Sequence, residues 1–118
     1  MTKNIRIAVD LDGKRIPQTI AFDADEGGNE GPTACRAMIL SLWDHQRKDT
    51  LRLDLWTHDM TVDEMKIFFH ETLVSMAETL KRSTADERIA GDMVDFCDYF
   101  AEKMEIAPRK PDSGSTFT

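Results

Sequence analysis

The chain is poor in cysteine, with only Cys35 and Cys97 among 118 residues. They are far apart and form no Cys-x-x-Cys pair, which excludes a disulfide framework and the common paired-cysteine zinc sites. Long apolar runs are also missing. None approaches the roughly 18 residues that a membrane span needs. The opening segment, MTKNIRIAVDLDG, lacks the apolar stretch of about seven residues that a secretory signal carries. The expected location is therefore cytoplasmic, with both thiols free. Basic residues are few and scattered, 15 against 22 acids for a formal charge of −7. Arg47-Lys48, Lys81-Arg82 and Arg109-Lys110 are the densest groups. Such a surface repels phosphate, so neither nucleic acid nor an anionic membrane is an expected partner.

Catalytic signatures are absent as well. There is no Gly-x-Ser-x-Gly, no Walker loop and no Gly-x-Gly-x-x-Gly. In the helical segment HETLV, Val74 stands where a zinc protease has its second histidine. The stretch Gly27-Gly28-Asn29-Glu30-Gly31 is glycine-rich but acidic, and it leads towards a strand. A phosphate cradle needs a helix after its glycines, so phosphate binding is not expected.

What is present is clear alternation followed by helical periodicity. In residues 4–11, Ile5, Ile7, Val9 and Leu11 share one face. Asp12-Gly13 is a hairpin signal, because glycine accepts a positive φ. A second strand is expected over about 16–23, with Ile16, Ile20 and Phe22 inward. Residues 24–34 read as a loop. Residues 36–44, RAMILSLWD, read as a strand apolar on both faces. In LRLDLW, Leu51, Leu53 and Leu55 are expected inward, and Arg52, Asp54 and Trp56 outward. Thr61-Val62-Asp63-Glu64 fits a capping box that starts a helix over about 62–82. Its apolar stripe is Val62, Met65, Phe69, Leu73, Met76 and Leu80. A second helix is expected over about 86–106, with Ile89, Met93, Phe96, Cys97, Phe100 and Met104 as its stripe, Gly91 marking a close contact and Pro108 ending it.

These elements predict a single α+β domain over residues 1–107 and a disordered tail over 108–118. Two β-hairpins would form a mostly antiparallel four-stranded sheet, packed on one face by the C-terminal antiparallel helix pair. The other face would carry polar residues around Trp56. Exposed tryptophan is enriched at binding hot spots, so Trp43, Asp54, Trp56, His58 and Asp59 form the candidate partner surface. A metal-dependent alternative uses Cys35, His58 and Asp59. If Asp44 pairs with Leu51, His58 falls opposite Ala37, near Cys35. His45 cannot join it, being about 23 Å away along the strand. No cofactor is expected.

The words Leu40-Ser41-Leu42-Trp43-Asp44, Lys48, Leu53-Asp54-Leu55-Trp56-Thr57 with Asp59-Met60, and Val62-Asp63-Glu64-Met65-Lys66 carry a resemblance. Together they are similar to the gliding-motility protein C (GldC) family of Bacteroidetes-type bacteria. The resemblance covers roughly residues 3–105, is sharpest over 39–80, and leaves out the glycine-rich loop and the tail PDSGSTFT. Thr61 stands where proline is common in the family; both suit a helix start. The resemblance implies an accessory role in motility, with no known enzymatic activity and no catalytic residue to carry over. The candidate surface leads one to expect a protein partner, and the alternative is a homo-oligomeric module joined through an exposed sheet edge or that same outer face.

Overall fold

A computed structural model describes residues 1–25 and 31–107. The chain divides into two compact units, Met1–Thr61 and Val62–Thr118, and each is described by itself. The first holds every strand among the described residues: β1 (Ile5–Leu11), β2 (Pro17–Ala24), β3 (Thr33–Cys35), β4 (Ala37–Asp44) and β5 (Asp49–Trp56). The second holds two helices, α1 (Val62–Thr84) and α2 (Glu87–Lys103).

The class is α+β, but the strands do not form the single four-stranded sheet expected. They form an antiparallel three-stranded sheet in the order β1-β2-β3 and a two-stranded antiparallel ribbon, β4-β5. Arg36 is the reason. It forms a bend between β3 and β4, so one stretch of chain pairs with β2 before the bend and with β5 after it. The three residues of β3 fall partly in the segment read as loop. Residues 26–30 of that loop and the tail from 108 lie outside the described residues.

In the larger sheet, Ile20 on the central strand faces Val9 on one side and Cys35 on the other, and is 2% exposed. Residues of a central strand are flanked twice, so they lose the most water-accessible surface. The opposite face is ionic: Arg6 reaches Asp23 at 3.3 Å and Asp25 at 3.1 Å. The β1-β2 turn is tied by Asp12, whose carboxylate accepts from the amides of Lys14 (2.8 Å) and Ile16 (2.9 Å). The left-handed residue of this turn is Arg15, with φ 63°, and not Gly13.

The helices are bounded by local chemistry. Asp63 and Glu64 lie in the first turn of α1, and Lys81 and Arg82 in its last, matching the helix dipole at both ends. Ala85 takes φ 58° and closes α1, its amide donating to the Lys81 carbonyl at 2.9 Å. Asp86 then caps α2, accepting from the Ile89 amide at 3.1 Å. α2 stops at Lys103, and Pro108, expected to end it, lies outside the described residues. A Schellman turn closes the helix, with Glu105 left-handed and the Ile106 amide donating to the Ala101 carbonyl at 2.9 Å.

The two helices meet along small residues. Ala77 of α1 and Ala90 and Cys97 of α2 are buried, and the His70 ring stacks on Phe100 with centroids 6.3 Å apart. Short side chains let two helix backbones approach closely. Val62, Phe69 and Met76, three members of the expected α1 stripe, are instead exposed. Gly91 does not mark a close contact either: a methyl group built on it meets nothing within 4 Å. Gly91→Ala should therefore stabilise the protein by about 1 kcal/mol, because the helix gains propensity and loses no space. Urea denaturation measures this, and an unchanged or lower midpoint would contradict the open surroundings of Gly91.

Candidate functional site

The site rests on the pairing of β4 with β5. The register runs without interruption from Ala37 opposite Trp56 to Asp44 opposite Asp49. This is two residues away from the expected pairing of Asp44 with Leu51. Directly opposed residues in an antiparallel pair point to the same side. One face of the ribbon therefore carries Met38, Leu40 and Leu42 beside Leu55, Leu53 and Leu51. The other carries Ala37, Ile39, Ser41 and Trp43 beside Trp56, Asp54, Arg52 and Thr50.

Three of the five candidate residues, Trp43, Asp54 and Trp56, thus share one face. Trp43 is 65% exposed and Trp56 is 56% exposed, so neither is core. They stand at opposite ends of the ribbon, about 20 Å apart along the strands. Between them Arg52 Nη2 meets Asp54 Oδ2 at 3.0 Å, which holds two charges flat against the strand. Neither charge dominates, so the surface is aromatic at its ends and electrically balanced at its centre. The leucine face is no less open: Leu51 and Leu53, expected inward, are 45% and 48% exposed.

The strand-to-helix junction holds the other two candidates. Trp56 ends β5, and Thr57 turns inward with 2% exposure. Its amide donates to the Arg36 carbonyl at 2.7 Å, and its carbonyl accepts from the Met60 amide at 3.1 Å. Its hydroxyl donates to Asp59 Oδ1 at 2.5 Å, while Asp59 Oδ2 lies 3.8 Å from Arg36 Nε. Asp59 is therefore a brace between the turn and the Arg36 bend. The Thr57 hydrogen bond outweighs the opposing effect of burial and, with smaller help from the Arg36 charge, the backbone amide of Asp59 and the His58 charge, holds the Asp59 carboxyl below the ordinary value. His58 is exposed beside this brace.

Sequence reasoning missed Thr57 and Arg36. The period of two in LRLDLWT puts Thr57 on the leucine side, which is the one signal that it turns inward. Arg36 carried no signal, because its role depends on a residue 21 positions away in the chain.

Cys35, His58 and Asp59 do not come together as metal ligands. Cys35 sits opposite Ile20 in the three-stranded sheet, β5 stops at Trp56, and His58 leaves in the turn. Among the described residues no three of His, Cys, Asp and Glu are grouped to hold a metal ion. A separate open cavity of about 570 Å³ lies on the helical unit, lined by Phe68, Thr72, Met76, Leu80 and Met93 among others. Among its described lining residues Glu71 is the one acid, beside the hydroxyls of Thr72, Ser75, Thr79 and Ser83. Among the described residues no helix is long and apolar enough to cross a membrane.

A family model described as gliding motility-associated protein GldC-like matches residues 17–106. The chain belongs to that family. The match takes in β2 through α2, including both tryptophans, the Thr57 junction and the glycine-rich loop. No curated protein and no solved structure matches the chain. As a GldC-like protein it is gliding-motility-associated.

The Asp59 brace has a pH signature. A carboxyl held below its unfolded value of about 3.9 contributes its stability above that pH, and loses it as pH falls through the folded value. Thr57→Val removes the largest cause of the lowering. The stability difference between wild type and Thr57→Val should thus be widest near neutral pH and shrink in acid. Urea midpoints at about pH 7 and about pH 3 test it; a difference that is the same at both would mean that Asp59 is not coupled to Thr57.

Proposed function

We propose that the chain is a non-enzymatic accessory protein of the gliding apparatus, acting in the cytoplasm by protein–protein contact. The contact surface is the face of the β4-β5 ribbon that carries Trp43, Asp54 and Trp56, with His58 at its end. One observation carries this reading: two tryptophans, each more than half exposed, stand on one face of a regular strand pair. An indole left in water costs free energy that a partner pocket recovers, and tryptophan at such positions dominates binding energy.

The chemistry of the face fits a polypeptide better than a small substrate. It is open and has an aromatic group at each end. Its single central ion pair gives polarity without a strong field. The free thiols, Cys35 and Cys97, fit a reducing compartment.

Trp56→Ala tests the surface. Loss of a hot-spot tryptophan should weaken partner binding by about 2 kcal/mol or more, roughly thirtyfold. Removal of an exposed side chain should move the melting temperature by no more than about 2 °C. The measurements are affinity recovery from a gliding bacterium with quantitative mass spectrometry, and a thermal melt of the same preparation. Undiminished recovery with the variant would remove Trp56 from the contact.

A further inference from the structure

β5 is an open edge. No further strand among the described residues pairs with it. Because the Thr57 amide bonds the Arg36 carbonyl, the antiparallel alternation turns the amides of Leu51, Leu53 and Leu55 towards β4. Those of Thr50, Arg52, Asp54 and Trp56 then point away from it, together with their carbonyls. Such a row of unpaired groups is a template for another strand, and natural edges are blunted against this by proline, lysine or a bulge. β5 has no proline, no lysine and no break in register. The edge of β1, in contrast, is broken by a register shift between Asp10 and Leu11. A strand pair alone is also marginal in water, and a third and fourth strand would remedy that.

We infer that the β5 edge pairs antiparallel with β5 of a second copy of this chain, about a two-fold axis at Leu53. The side-chain order selects both the occupant and the register. Opposed residues must point to the same side, so the axis can pass only through a residue. An axis at Arg52 would set Arg52 against Arg52 of the second copy. An axis at Asp54 would oppose two aspartates. Only the axis at Leu53, between them, sets Arg52 opposite Asp54 of the second copy, twice by symmetry. The same register sets Leu51 opposite Leu55 and Leu53 opposite itself, which continues the leucine face across the junction. It also sets Thr50 opposite Trp56, the kind of pair that Trp43 and Thr50 already make within the ribbon.

The outward amides fall in step with this register. Arg52 and Asp54 both present amide and carbonyl to the edge, so each such pair exchanges both backbone bonds, and so do Thr50 and Trp56. The result is a sheet in the order β4-β5-β5-β4. β4 offers no comparable selection: its outward residues, Ala37, Ile39, Ser41 and Trp43, carry no charge. The dimer does not rest on the partner-binding reading given above. It uses the edge of the ribbon and leaves both indoles on the open face.

The test uses the full chain and two single variants, Arg52→Glu and Asp54→Arg. Each places like charges in opposition at every copy of the pair, so each alone should dimerise about tenfold or more weakly than wild type. An equimolar mixture should dimerise again, because the acid introduced in the first variant then opposes the base introduced in the second. Light scattering over a concentration series reads the mass, and native mass spectrometry shows whether the mixed dimer contains one chain of each. Charge effects within one chain cannot produce that rescue. Circular dichroism checks each fold. If either variant is unfolded, Thr50→Pro decides, since it removes an outward amide and no bond within the ribbon; it should be monomeric. A wild type that is monomeric throughout overturns the inference, as do charge variants that remain dimeric or a mixture that yields no mixed dimer. A monomer would leave the Trp56 measurement standing by itself.

Discussion

One backbone hydrogen bond sets most of the geometry that matters, that from the Thr57 amide to the Arg36 carbonyl. It closes the β4-β5 ladder at the end away from the turn. It thereby fixes which residues oppose each other, which side each side chain takes and which amides are consumed within the ribbon. The Arg36 bend lies at the same point, so the junction also separates one sheet from the other. Asp59 reinforces the spot through the Thr57 hydroxyl and the Arg36 guanidinium. A slip by one residue would exchange the tryptophan and leucine faces. Thr57 is buried because it stands where the strand, the bend and the turn after the strand meet.

The α+β class, the first hairpin and both helices were legible because each rests on local chemistry. Alternation marks the strands, Asp12 marks the turn, and Asp86 sits where α2 begins. The shared face of Arg52, Asp54 and Trp56, opposite the leucines, was legible too. The expected register was two residues off, and a shift of two leaves every side chain on its side. The observed register closes on a four-residue turn held by Asp44, which accepts from the amides of Gln46 and Arg47, with Lys48 left-handed at φ 56°. Nothing in His45-Gln46-Arg47-Lys48 advertises that.

What was not legible is non-local. The split into two sheets follows from a bend at an ordinary arginine, and the role of Thr57 follows from its distance to that arginine. The helix contact was foreseen at Cys97, a member of the expected α2 stripe, and missed at Ala77 and Ala90 for a different reason. Periodicity ranks large apolar residues first, so Phe69 and Met76 looked like the seam. The seam runs through Ala77, Ala90 and Cys97, where small size permits approach. Membership of a GldC-like family fits this division, since the words that carry the resemblance fall on β4, β5 and the start of α1. Those on the two strands are the residues whose positions the Thr57 bond sets.

The link between the helices is short: Ala85, left-handed, and Asp86, the cap, are all that separates Thr84 from Glu87. Such a link has no slack to absorb a change in length. One residue inserted there would turn α2 by about 100° about its own axis. Ala90 and Cys97 would swing out of the seam, and bulkier neighbours would arrive in their place. The helical unit should therefore tolerate substitutions on its surface far better than a single insertion or deletion between residues 84 and 87, so that the spacing of this joint is constrained even where its residue types are not.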